Sequence, residues 1–370
     1  MMHITEKNEA YYRDTALSPD IPGDCHGEVA WQSPSNIALV KYWGKHGVQL
    51  PNNPSISFTL KQAHTATRIG YRPKDGDEPG FTFAFEGKPQ PLFAQKTANY
   101  LNQLLPYLPW LPKLHLDISS HNTFPHSSGI ASSASSMSAL VMGLLDIESA
   151  LSGNPLSDDE FRTKASFLAR LGSGSASRSV FPFASVWGAT EAIPGSSQYV
   201  ACPMEHHMNE VFTTFRDSIL IIHAGTKSVS SRAGHQLMEN NPFAAARYQN
   251  AETNIRLLKD ALLHADMDQF IAVTESEALQ LHALMMTSQP SFILMQPATL
   301  AAITHIRAFR QERGIPLCFT LDAGPNIHLL YPAAHQEAVK AFISEQLLQY
   351  CADGQWIDDE VGGGPSKLNS

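Results

Sequence analysis

The sequence predicts an α+β protein of two domains, and three observations carry that prediction. At 370 residues the chain exceeds what one hydrophobic core usually supports. Its first half mixes stretches of strict apolar alternation with one apolar helical stripe. Its second half sets long helical patterns between short apolar runs, with the simplest division near residue 200. The expected parts are an irregular extension over 1–27, an N-terminal domain over 28–203, a C-terminal domain over 204–352 and a mobile tail over 353–370.

Taken in order, residues 1–27 show no sustained period. TATRIGYR (65–72), FTFAFEG (81–87) and KLHLDISS (113–120) alternate with a period of two, the mark of half-buried strands. A serine-rich stretch follows, NTFPHSSGIASSASSM (122–137), and then an apolar helix predicted over Ala139 to Leu151 with its stripe at Met137, Leu140, Val141, Leu144, Leu145 and Ile147. Ser157 and Glu160 have the spacing of a capping box that opens a second helix through Leu171. SVWGATEAI (185–193) and QYVACP (198–203) read as further strands, followed by a crossover around 203–209. DSILIIHAG (217–225) is short and apolar enough for a buried strand, and helical patterns occupy about 231–264, 266–287 and 297–312. IPLCFTLDAGPNIHLLY (315–331) reads as strand, tight turn, strand, and a last helix is predicted over about 333–351. The glycine-rich, polar end after it suggests mobility.

Composition narrows the function. With 35 acidic and 26 basic side chains the net charge is −9, which argues against a general binder of nucleic acid or anionic membranes and for a small-molecule ligand met by a local cationic cluster. Cys25, Cys202, Cys318 and Cys351 lie far apart without a CxxC pair, as suits reduced thiols. The polar start MMHITEKNEAYYRD lacks an apolar signal core, and no run approaches a spanning length, so a soluble cytoplasmic protein is expected.

Four segments are richer in small and polar residues than packing asks for. Serines before a helix compete to cap backbone N–H groups, so 122–137 reads as a loop entering a helix N-terminus, where an anion such as phosphate could sit; such loops are also often simple turns. In SPSNIALVKYWGKHG (33–47), Lys41, Trp43 and Lys45 would share one face of a strand and converge on an anion, unless they form a solvated strand end. GSGSASRS (172–179) places Arg178 among small residues, well suited to gripping a carboxylate, or is a flexible linker. DAGPN (322–326) is either a hairpin turn or a rigid mount for Asp322 as a base or orienting charge. The sixteen histidines show no metal-ligand spacing, and no complete GxxxxGK[ST] or GxGxxG occurs.

Together these segments resemble the mevalonate diphosphate decarboxylase family of the GHMP kinase superfamily. NIALVKYWGK, LPNNPSISFTL, FPHSSGIASSAS, GSGSASRS, VSSRAG and LDAGPN occur in the family's order between about residues 29 and 350. The resemblance implies an N-terminal domain like ribosomal protein S5, a ferredoxin-like C-terminal domain and a homodimer. It implies ATP- and Mg²⁺-dependent conversion of mevalonate 5-diphosphate to isopentenyl diphosphate, ADP, phosphate and CO₂ through phosphorylation of the 3-hydroxyl. By the same resemblance Asp322, Lys41 and Arg178 are catalytic, and Tyr42, Lys45, Asn53, Ser173, Gly174, Ser175, Ser230 and Arg232 hold the substrate. Pro125, Ser128, Gly129, Ala131, Ser132 and Ser133 cradle the ATP phosphates, with Ser133 near Mg²⁺. The chain departs from the usual pattern at HGVQ after KYWGK, at Pro54, Ser136 and Pro182–Phe183, and at His235, where methionine is common. A decarboxylase of mevalonate 5-phosphate, a kinase that stops at phosphorylation and a non-catalytic ligand sensor are the competing readings.

Overall fold

The computed structural model describes residues 7–125, 130–225 and 231–369, with Ser231 and Arg232 described by their backbone alone. The segment expected to be irregular carries a short helix, α1 (Glu9–Asp14), capped by Asn8, which accepts the Tyr11 N–H at 3.1 Å. Tyr12 docks it by stacking on Phe167 at a ring separation of 4.2 Å.

The first half then runs β1 (Gly27–Ala38), β2 (Lys45–His46), β3 (Leu50–Pro51), β4 (Ser55–Pro73), β5 (Gly80–Phe85), β6 (Lys88–Pro89), α2 (Pro91–Leu104), β7 (Leu114–Asn122), α3 (Ser132–Ser152), α4 (Asp158–Gly172), β8 (Ala184–Trp187) and β9 (Cys202–Pro203). The second half runs β10 (Arg216–Leu220), α5 (Ser231–Gln236), α6 (Ala244–His264), α7 (Met267–Met286), α8 (Pro297–Arg313), β11 (Cys318–Thr320), β12 (Ile327–Tyr331), α9 (Gln336–Phe342), β13 (Trp356–Glu360) and β14 (Ser366–Lys367). Among the described residues the first half forms a sheet in the order β14-β1-β4-β7-β5-β6, with β8 and β9 added along β4; the second forms the sheet β11-β12-β10-β13.

The alternating stretches fall in β4, β5 and β7, and in β7 the inward Leu114, Leu116 and Ile118 are buried between more exposed neighbours. The capping box of α4 is present, with Ser157 and Glu160 bonded reciprocally. Helix α3 begins at Ser132, seven positions before the expected start. Its serines turn their hydroxyls back onto the preceding turn, Ser135 to the Ser132 carbonyl at 3.2 Å and Ser138 to that of Ser135 at 3.2 Å, so helix forms where intrinsic preference is weak. Helix α3 is long and, on average, apolar enough to cross a membrane, but it is interrupted by serines and acidic residues and about two-thirds of its apolar stretch is buried inside the protein, as in a core helix. The helix expected over 231–264 is broken at Asn241–Pro242 into α5 and α6. The strands expected over 185–193 and 198–203 shrink to β8 and β9, because the chain turns at Gly188, whose φ is +105°. The last helix continues past α9 only as a wide turn over Ile343–Leu347 and a tight one over Leu348–Tyr350.

The C-terminal end is not a loose tail. Between Pro34 and Asn36 the β1–β4 register shifts, and β4 bulges out over residues 60–63. Asp359 fills that bulge, accepting the N–H groups of Lys61, Gln62 and Ala63 at 2.7 to 2.9 Å. The same strand, β13, pairs with β10 in the second sheet, Asp359 opposite Asp217, and three residues after Asp359 Gly362 donates its N–H to the Thr59 carbonyl and accepts the Phe183 N–H. The backbone bonds that polar composition left unassigned are thus supplied by both sheets.

One apolar core lies between the first sheet and α2, α3 and α4. A second is shared by the two halves: Phe58 of β4 meets Phe212, Phe215 and Phe270 at ring separations of 6.0 to 6.2 Å. A third backs the second sheet with α8 and α9. The shared core holds the halves together beside a cleft.

Candidate active site

The cleft has a volume of about 1050 Å³. Lys41 enters it from the turn after β1, Arg178 from the turn after α4, and Asp322 from the loop after β11. Lys41 is buried, and its Nζ donates to Asp322 Oδ1 at 3.0 Å. Burial lowers the Lys41 pKa from its ordinary value, and the Asp322 carboxylate opposes that shift. Arg178 is equally buried, but its partners are neutral: Nε donates to Ser57 Oγ at 2.5 Å, Nη1 to Ser55 Oγ at 2.6 Å and Nη2 to Asn36 Oδ1 at 3.5 Å. Burial pulls its pKa down to about 10, with the Asp322 charge acting the other way. Among the described residues no carboxylate lies within ion-pair distance of this guanidinium. A buried cation without a counterion is costly, so the site favours an anion beside Arg178.

The pair at Lys41 and Asp322 is held from behind by residues that the sequence reading missed. Glu277 of α7 accepts the Lys41 backbone N–H at 2.8 Å, while Arg247 of α6 donates Nη2–H to the Lys41 carbonyl at 2.9 Å. Arg247 and Glu277 also pair with each other at 2.6 Å, both fully enclosed, and Asn254 donates to Glu277 at 2.6 Å. His282, one turn further along α7, donates Nε2–H to the Asp322 carbonyl at 3.1 Å. Its burial holds its pKa down at about 4, so it is neutral. A signal for Glu277 existed: it stands in register with Phe270, Thr274, Leu281 and Leu284 on the buried stripe of α7, where a carboxylate needs a partner.

Asn53 belongs to the same support and does not line the cleft. Its Nδ2 donates to the carbonyls of Lys41 and Pro54 at 3.0 and 2.8 Å, and its Oδ1 faces the Trp43 N–H at 3.5 Å. It shapes the turn that carries Lys41, Tyr42 and Trp43. That segment is a turn, and the strand expected there ends at Ala38. Trp43 therefore packs on Met238, Leu281 and Met285, while Lys45 joins the small β2–β3 hairpin and donates to Gln49 Oε1 at 2.9 Å.

At the other end of the cleft α3 opens after Ala131, whose φ of 38° turns the backbone into the helix start. Ser132 and Ser133 line the cleft there, and Ser133 Oγ lies 3.2 Å from Ser173 Oγ. Ser173, Gly174 and Ser175 form the adjoining wall. A Cβ on Gly174 would lie 2.6 Å from the Trp187 ring and 3.0 Å from Tyr42 Oη, so the close approach of this turn requires glycine. Tyr42 Oη is buried and has no partner among the described residues. Pro125 is exposed, away from the cleft lining. Ser128, Gly129 and Ser230 lie outside the described residues, and of Arg232 the backbone places it in α5.

Two family models match the chain: the diphosphomevalonate decarboxylase-like N-terminal domain over residues 33–199, and the mevalonate 5-diphosphate decarboxylase C-terminal domain over 218–361. A diphosphomevalonate decarboxylase of Aspergillus fumigatus is 31% identical over 84% of this chain and 78% of its own length. The chain belongs to the diphosphomevalonate decarboxylase family. A phosphomevalonate decarboxylase of Haloferax volcanii is 26% identical, over 83% of this chain and 89% of its own. Among solved structures, the mevalonate diphosphate decarboxylase of Staphylococcus aureus is 27% identical with a TM-score of 0.78, covering 93% of this chain and 99% of that one. A complex of MDDEF with MVAPP, AMPPCP and magnesium is 28% identical with a TM-score of 0.77, covering 94% and 100%. The two-sheet α+β architecture is the family's GHMP kinase fold.

Proposed function

We propose that the protein converts mevalonate 5-diphosphate to isopentenyl diphosphate with ATP, and that Asp322, Lys41 and Arg178 carry the reaction. The observation that carries this reading is the buried Arg178, short of an anionic partner, in the same cleft as the Lys41–Asp322 pair. Such an arrangement is complementary to a substrate with a carboxylate at one point and a hydroxyl to be phosphorylated near it.

Asp322 accepts a hydrogen bond from the 3-hydroxyl and directs its oxygen at the γ-phosphorus of ATP. Lys41 places a positive charge beside the transferring group, where its enclosure strengthens the field. The 3-oxygen bonds to the γ-phosphorus as the phosphorus–oxygen bond to ADP breaks and the hydroxyl proton passes to Asp322; once the 3-oxygen carries phosphate it is a good leaving group. Arg178 holds the C1 carboxylate so that the C1–C2 bond breaks, its electron pair forms the C2–C3 alkene, and phosphate and CO₂ depart. Ser132, Ser133 and the first N–H groups of α3 supply donors for the nucleotide phosphates. The hydroxyl donors at this end suit a Mg²⁺ ion carried in by the nucleotide: Ser133 and phosphate oxygens would hold it, and it would neutralise charge on the transferring group. Among the described residues no cluster of three acidic, histidine or cysteine side chains forms a separate metal cage.

The test is ADP and CO₂ release with ATP and Mg²⁺, comparing mevalonate 5-diphosphate with the 5-monophosphate at matched concentrations. Equal amounts of ADP, phosphate and CO₂ from the diphosphate are expected. Preference for the monophosphate would keep the chemistry and change the substrate, and ADP without CO₂ would overturn the decarboxylase reading.

A further inference from the structure

His235 of α5 lines the cleft, and its surroundings give it a defined chemical state. Its Nδ1 accepts the Gly44 N–H at 2.9 Å, so that nitrogen carries no proton. A neutral imidazole with a bare Nδ1 holds its proton on Nε2. The ring is enclosed, tilted against Tyr42 at 4.3 Å and against Trp43 at 4.6 Å. This approach depends on the preceding glycine, because a Cβ on Gly234 would lie 2.5 Å from the Trp43 ring. Burial and the nearby Lys45 charge both oppose a second proton.

The other ring nitrogen has no protein partner among the described residues, and His235 lines the cleft beside Tyr42 and Lys45. The buried Tyr42 Oη has no partner among the described residues either. The Tyr42 hydroxyl, the His235 ring and the Lys45 charge are thus neighbours in the cleft, two neutral donors and a cation that together suit a phosphoryl group. We infer that His235 is a substrate-binding residue whose Nε2–H, together with Tyr42 Oη, donates to phosphoryl oxygens of the substrate's 5-diphosphate. This inference rests on the function proposed above and adds a residue to it.

Asparagine and glutamine separate the two nitrogens. In His235→Asn the amide oxygen replaces Nδ1 as acceptor for Gly44 while the distal donor is lost, whereas His235→Gln keeps a distal N–H donor and loses the near acceptor. Steady-state kinetics with mevalonate 5-diphosphate are expected to show KM raised roughly tenfold or more in His235→Asn, with kcat little changed, and KM largely kept in His235→Gln. The reverse order, or equal defects in both, would show that His235 only caps Gly44 or fills space. A measurement on the unaltered protein guards against misfolded variants: ¹⁵N spectra of histidine-labelled enzyme should show His235 protonated at Nε2, with that signal moving on addition of mevalonate 5-diphosphate without ATP. A signal unmoved by saturating substrate would overturn the inference. If the unaltered enzyme turns the diphosphate over while both variants keep its KM, this inference alone fails; absence of wild-type turnover sinks the parent reading instead.

Discussion

Removing the carboxylate of Glu277 should damage stability and catalysis together, through different atoms. The side chain accepts four donors: Arg247 Nη1 and Nη2 at 2.8 and 2.6 Å, Asn254 Nδ2 at 2.6 Å and the Lys41 N–H at 2.8 Å. In Glu277→Ala the Arg247 guanidinium stays enclosed, with the Lys41 carbonyl and Gln280 its remaining acceptors among the described residues, at 2.9 and 3.3 Å. Breaking one side of a buried pair costs about 3–5 kcal/mol, most of it the stranded charge. The double replacement Glu277→Leu with Arg247→Met removes both charges and should recover at least about 2 kcal/mol relative to the sum of the single changes. Activity should not recover with it. The Glu277 and Arg247 anchors of the Lys41 backbone are then gone, leaving Asn53 alone on its carbonyl, and a displacement of about 1 Å at a reacting group costs up to about 100-fold in rate. Urea unfolding of the wild type, the two single variants and the double variant gives the coupling, and ADP release gives kcat. A loss below about 1 kcal/mol in Glu277→Ala, or a double variant with wild-type kcat, would refute the clamp.

Three further outcomes are expected. Asp322→Asn should lower kcat by about 100-fold or more, and because it removes the charge that props up the Lys41 pKa, the alkaline limb of any residual activity should move to lower pH. Burial holds His282 at about 4 and His235 at about 3, both below the ordinary imidazole value of 6.5, so the unfolded chain binds more protons and stability falls as pH drops from 6.5 towards 4. Each contributes a slope of up to about 1.4 kcal/mol per pH unit, and His282→Gln should flatten the curve in urea titrations between pH 7.5 and pH 5; an unchanged slope would show that His282 does not titrate as described. Truncation after Gly354 removes Asp359 from the β4 bulge and β13 from the second sheet, and should abolish cooperative unfolding; a soluble truncated protein with a wild-type melting curve would contradict the stitching role.

The segments proposed to carry the chemistry were legible because their composition is locally anomalous. KYWGK, GSGSASRS and DAGPN hold charges among residues too small or too turn-prone for a packed core, and each delivers a side chain to the cleft. Elements were legible where one pattern dominates, as in β7 and the capped α4. The start of α3 was not, since its serines become helical through hydroxyl bonds to the previous turn and through burial, Ser135 against Thr65 at 2.6 Å and Ser138 against Ser33. The C-terminal strands were missed for a related reason. Their few apolar residues gave little signal, and their partners in β10, β4 and β1 lie from 136 to more than 300 positions away.

Local composition and spacing therefore determined the α+β class and marked Lys41, Arg178 and Asp322 as candidates, while the family resemblance supplied the roles proposed for them. Only tertiary structure decided that Lys41 and Asp322, 281 positions apart, stand 3.0 Å from each other, that Arg178 faces neutral partners, and that Glu277 and Arg247 grip the Lys41 peptide. The reason is physical: periodicity and turn chemistry act between neighbours in sequence, whereas the state of a buried charge depends on which distant groups the fold encloses with it.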